Sequence, residues 1–147
     1  MFWLFLFLAL LAGAAIPLQA GVNSQLARWA GNSTLASTIS FLVGTAALLI
    51  YSFAMRIPLP ALSELTKAPW WIWTGGLIGA CFISITTALA SKMSIAVLVS
   101  VIITGQMLMS LLIDHFGWVG FAVHPVNIWR ILGAIFLIIG VALIRQF

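Results

Sequence analysis

Trp70 to Ile113 reads WWIWTGGLIGACFISITTALASKMSIAVLVSVIITGQMLMSLLI, an apolar stretch interrupted by a single charge, Lys92. A straight helix over it would reach ~66 Å at ~1.5 Å per residue, about twice the ~30 Å hydrocarbon core of a bilayer. The stretch therefore folds back on itself. The break belongs at Ser91-Lys92-Met93-Ser94, which gives one span over Trp70 to about Ala90 and another over about Ser94 to Ile113. Trp70, Trp71 and Trp73 form an aromatic belt where the first of these enters the membrane. Gly75 and Gly79 make a GxxxG pair behind them.

Working outward, three more apolar runs qualify. Phe2 to about Ala20 continues in helix-compatible residues to about Ala30, and Gly31 suits its C-terminus. That helix is longer than the bilayer needs, so it tilts, kinks or protrudes, and Pro17 is the place for a kink. The rival reading of the same stretch is a signal peptide cleaved after Leu18-Gln19-Ala20, against which stand the absent basic n-region and the length of the apolar run. Thr34 to Met55 is the second span, with Asn32 or Ser33 placed to cap it. Arg56 to Pro69 is a loop with three prolines, and Asp114 to Asn127 is another. Ile128 to about Ile144 is the last span. The expectation is a single all-α domain, 1–147, of five transmembrane helices (2–20 extending to about 30, 34–55, 70–90, 94–113, 128–144).

Composition agrees. At 64% hydrophobic and 5% charged residues, the chain lacks the polar surface of a soluble domain. Its net charge of +4 comes from scattered single cations, with no basic patch for nucleic acid. Two carboxylates, two histidines and one cysteine form no enzyme constellation, metal-ligand set or cofactor motif. Cys81 lies inside a span and reads as packing.

Five spans put the termini on opposite sides. The loops near Arg56, Lys67 and Arg130 then share one side, and Arg28, Lys92 and Arg145 share the other. Orientation follows the Lys/Arg excess of short loops, and here neither side has one. Two copies inserted oppositely would pair about a two-fold axis in the membrane plane, the symmetry of inverted-repeat transporters. The alternative is a different, paralogous five-span partner with its own bias.

Polar residues inside spans carry the functional reading, because hydrocarbon offers them no water. Gln19 and Asn23 share one face of span one, and Gln106, Ser110 and Asp114 share one face of span four. They serve as substrate hydrogen-bonding groups in a central cavity, or as glue between those two spans. Ser40 and Gly44 belong to a small-residue face of span two that either packs closely or leaves room for a ligand. Asp114 and His115 read either as a proton relay or coupling pair or as a helix-end cap and loop anchor. Lys92 either snorkels to the interface or attracts an anionic substrate. His124 reads as solvated. Gly133 and Gly140, seven residues apart on span five, suit packing against a like helix in a dimer.

These residues also resemble a known family. Leu18-Gln19-Ala20 with Asn23, SFLVGT from Ser40, GQM from Gly105 through Ser110 to Asp114-His115-Phe116-Gly117, and Gly133 with Gly140-Val141 are similar to the YdcZ family of small membrane proteins, placed in the drug/metabolite transporter superfamily. Ala88 through Val101 resembles a hairpin of the five-span repeat in ten-span members. GAIFLIIGVALI resembles that repeat's closing helix and the last helix of the small multidrug resistance proteins. Gln106 stands where superfamily members often have proline, and span one lacks the central glutamate of the small multidrug resistance proteins. The resemblance implies an antiparallel homodimer forming a ten-helix bundle in the bacterial inner membrane, and a transporter that moves a small metabolite by alternating access. The alternative is a non-transporting interaction or regulatory subunit.

Overall fold

A computed structural model describes residues 1–147, the side chain at position 62 excepted. Among the described residues the structure is all-helical, with no strand. The elements are α1 (Phe2–Ala30), α2 (Ser33–Ala54), a short α3 (Leu62–Leu65), α4 (Thr74–Ala90) entered through a 3-10 turn at Trp70–Trp73, α5 (Ile95–Phe116) and α6 (Ile128–Gln146). Counting the tryptophan turn with α4, five helices are long and apolar enough to cross a membrane.

Local chemistry sets each end. Gly31 takes a left-handed φ of 74° to stop α1, which runs unbroken through Pro17. Asn32 then accepts from Thr34 N at 2.7 Å and Leu35 N at 3.3 Å to start α2, so two residues reverse the chain. The α4–α5 turn contains neither glycine nor proline. Ser91 Oγ donates to Ala88 O at 3.0 Å, Lys92 N donates to Leu89 O at 2.8 Å, and Ser94 Oγ accepts from Val97 N at 3.3 Å. The sequence ends span four at Ile113, but α5 continues through Asp114, His115 and Phe116. Nothing before Gly117 breaks it, and Gly117, at φ 64°, does. In the Arg56–Pro69 loop, Lys67 and Glu64 form an exposed ion pair at 2.7 Å.

The chain divides into two compact units, Met1–Lys92 and Met93–Phe147. In the first, α1, α2 and α4 pack pairwise. The buried residues of that unit are Ala20, Asn23 and Ser24 on α1, Ala36 and Ser37 on α2, and Thr86 and Thr87 on α4. All sit towards the C-terminal ends of α1 and α4 and the N-terminal end of α2, so the unit is closed at one end. At the other end the large side chains of α1 from Phe2 to Leu11 are exposed. Small and polar residues make the joint because lipid tails solvate leucine and phenylalanine as well as another helix does. In the second unit α5 packs against α6, with Leu98 and Ala134 buried.

Gly117→Ala tests the α5 terminus. Its Cβ would lie 2.7 Å from Val123 Cγ2 and 3.2 Å from Phe121 O, at a φ of +64°. We expect a loss of about 1–3 kcal/mol, read as a lower unfolding midpoint of the purified protein. Gly13→Ala, inside α1 with nothing within 4 Å of its Cβ, should leave the midpoint unchanged or raise it, by up to about 1 kcal/mol. Equal midpoints would show that the turn is not formed.

Candidate functional site

In the first unit, α2 presents two grooves side by side. Between α1 and α2 a cavity of ≈ 230 Å³ is lined by Gln19, Ser40, Phe41, Gly44, Thr45 and Leu48. Three residues singled out by sequence, Gln19, Ser40 and Gly44, therefore come together. Between α2 and α4 a second cavity of ≈ 310 Å³ shares Phe41 and Thr45 and adds Thr34, Ser37, Thr38 and Ser84. The Phe41 ring reaches across to α4 here: a Cβ on Gly79 would lie 3.8 Å from Phe41 Cζ, an ordinary van der Waals contact.

Asn23, one turn beyond Gln19, lies in the packed joint. It is 3% exposed and its Nδ2 has no hydrogen-bond partner. Two of the adjacent hydroxyls satisfy themselves. Ser37 Oγ donates to Ser33 O at 2.9 Å, and Thr86 Oγ1 donates to Ile83 O at 3.1 Å. Thr87 is the exception, 1% exposed with Oγ1 unpartnered. Its natural acceptor would be the carbonyl four residues back, but Ile83 O already takes the Thr86 hydroxyl. Sequence reasoning passed over Ser24, Thr86 and Thr87. The signal was two adjacent threonines in an apolar span, and it is faint because such hydroxyls usually bond to their own helix.

The second unit holds the ion pair that joins two of the long helices. A cavity of ≈ 360 Å³ is lined by Ser110, Asp114, Arg130 and Gly133 among others. Arg130 Nη1 donates to Asp114 Oδ2 at 3.1 Å and to His124 O at 3.1 Å. His124 N donates to Asp114 O at 2.7 Å, and Val126 N donates to His115 Nδ1 at 3.1 Å. Asp114 and His115 thus hold the loop between α5 and α6. Each charge of the pair stands on the wrong end of its own helix dipole, Asp114 at the C-terminus of α5 and Arg130 at the N-terminus of α6. Pairing across the two helices compensates both. Gly133 and Gly140 line another groove between α5 and α6, of ≈ 410 Å³, with Ser100 and Phe136. Added Cβ atoms at either glycine meet nothing within 4 Å. Gln106 is exposed on α5 and Lys92 is exposed in the hairpin. Among the described residues no cluster of His, Cys, Asp or Glu could hold a metal.

Residues 4–143 match the family model described as "Putative inner membrane exporter, YdcZ". No curated protein and no solved structure matches the chain. The chain belongs to the YdcZ family and is a multi-pass inner-membrane protein; exporters are not an enzyme class.

Two outcomes check this geometry. Thr87→Val removes a hydroxyl without a partner and should raise stability by about 1 kcal/mol, seen as a higher unfolding midpoint; an equal fall would mean the hydroxyl is bonded. A double-mutant cycle of Asp114→Asn with Arg130→Gln should give a coupling of about 0.5–1 kcal/mol, modest because both side chains are about a third exposed. Strict additivity would show that the pair is not formed.

Proposed function

We propose that this YdcZ-family chain is half of a small-metabolite transporter, completed by an inverted copy of itself. The ten helices would enclose a cavity that opens alternately to the two membrane faces. The observation that carries the reading is the groove in which the Gln19 carboxamide and the Ser40 hydroxyl stand beside Gly44 within membrane-spanning helices. Polar groups at that depth persist where they meet a partner or a solute. The even division of the six cations supports opposite insertion. The open groove along Gly133 and Gly140 supports helix-to-helix association.

The proposed transport is facilitative and its cargo uncharged. The described chain has no acidic side chain in α1, α2 or α4, Glu64 pairs with Lys67 in a loop, and Asp114 is engaged by Arg130. Asp114 and His115 then act as the α5–α6 clasp. Lys92 then snorkels to the interface, and Gln106 is exposed on α5. A second reading, a non-transporting subunit that pairs with a paralogous five-span chain, draws on the same Gly133–Gly140 groove, which would accept a foreign helix equally well.

Uptake into proteoliposomes separates the two. The transporter reading expects uncharged solutes to equilibrate across the membrane without dependence on a pH gradient. Gly44→Leu, which fills the Gln19–Ser40 groove, should bring the rate to background while the protein stays folded and associated. Background uptake of a broad uncharged library by the folded wild-type dimer would favour the subunit reading.

A further inference from the structure

The ≈ 310 Å³ groove between α2 and α4 carries a pattern of hydroxyls that specifies a ligand chemistry. Ser37 Oγ and Thr38 Oγ1 each donate to a carbonyl one turn back, Ser33 O at 2.9 Å and Thr34 O at 3.0 Å. Their protons are committed, so towards the groove they are acceptors. The hydroxyls of Thr34, Thr45 and Ser84 make no hydrogen bond among the described residues, so each can donate and accept. No charged residue lines the groove. An ion would lose its hydration there with no countercharge to replace it. Phe41 supplies one apolar wall.

A second observation points to a missing partner. Ala80 and Ser84 line the groove from α4, and Thr87 lies on that same helical face one turn further. Its hydroxyl is the one left unpartnered at 1% exposure. Leaving such a group without a hydrogen bond costs about 1–3 kcal/mol, and the neighbouring carbonyl that would relieve it is occupied by Thr86.

We propose that the α2–α4 groove binds a small uncharged polyhydroxylated molecule, of monosaccharide size or below. Ser37 and Thr38 accept its hydroxyl protons, Thr45 and Ser84 both donate and accept, and Phe41 packs against its C–H face. The volume lies at the low end of small-molecule sites, ~300–1,000 Å³, which excludes larger oligomers. The assignment deepens the transporter reading and rests on it for its biological sense, but binding can be measured without transport.

The test uses the purified protein in nanodiscs, with the unfolding midpoint followed against erythritol, myo-inositol and glucose, and against choline and succinate as charged probes. The expected result is a saturable rise with at least one uncharged probe. Thr38→Val and Ser84→Ala, at positions that line this groove and not the Gln19–Ser40 groove, should each weaken it roughly three- to tenfold, the loss of one hydrogen bond, without lowering the midpoint of the free protein. General solute exclusion raises the midpoint too, but it acts on wild type and variants alike and does not saturate. An identical response in wild type and the double variant, no saturable response to any uncharged probe, or saturation with choline or succinate alone would overturn the proposal. Uptake of a charged compound that ignores both substitutions removes the groove and leaves transport standing. Groove-dependent binding without uptake keeps the groove and removes transport.

Discussion

A polar group in hydrocarbon has no water to bond to, and an apolar group gains nothing by leaving lipid for another helix. These two conditions account for what is buried here and what is not. The joint of the first unit is built from Ala20, Asn23, Ser24, Ala36, Ser37, Thr86 and Thr87, small enough for close approach and polar enough to bind across or along helices. Most of the unit's phenylalanine, leucine and tryptophan side chains stay exposed, where lipid chains solvate them well. A soluble three-helix unit would invert this arrangement.

The same conditions make exceptions informative. Several hydroxyls discharge onto their own backbone, as Ser37, Thr38, Thr86, Ser100 and Thr104 do. Asn23 Nδ2 and Thr87 Oγ1 do not. Both belong to the closed end of the unit, beside the grooves that α2 forms with α1 and α4. A joint that leaves two polar atoms unpaired is easier to open than one in which every group is matched, because separation lets them find partners. Such a joint suits the alternating access proposed above.

Much of the fold was legible in the chain, because length, breakers and caps are local. The Trp70–Ile113 stretch exceeds a single span, and Gly31 and Asn32 announce the first reversal. The end of α5 lies beyond the expected Ile113: Asp114 reads as the start of a loop, yet nothing breaks the helix before Gly117, and Arg130, remote in sequence, pairs with Asp114. For the site, Gln19, Ser40 and Gly44 stood out as polar or small residues within spans, and they converge. Gln19 and Asn23 share a face by spacing alone, yet one borders a groove and the other is buried. Thr34, Thr38 and Ser84 of the α2–α4 groove did not stand out, because serine and threonine normally satisfy themselves within a helix. Only packing shows which ones stay free.

The central claim is that two inverted copies make the working unit. On one side of the membrane Lys67 and Arg130 are paired with Glu64 and Asp114; acidic residues count little in orientation, so the even division of cations stands. Single cysteines in intact cells test this most directly. Cys81 is exposed and is first replaced by serine. Ser63→Cys, in the loop before α4, and Ser91→Cys, in the hairpin after it, are then treated with a membrane-impermeant thiol reagent. The account predicts that both positions label from outside, each in part of the population. Labelling of one position alone would show a single fixed orientation and contradict it.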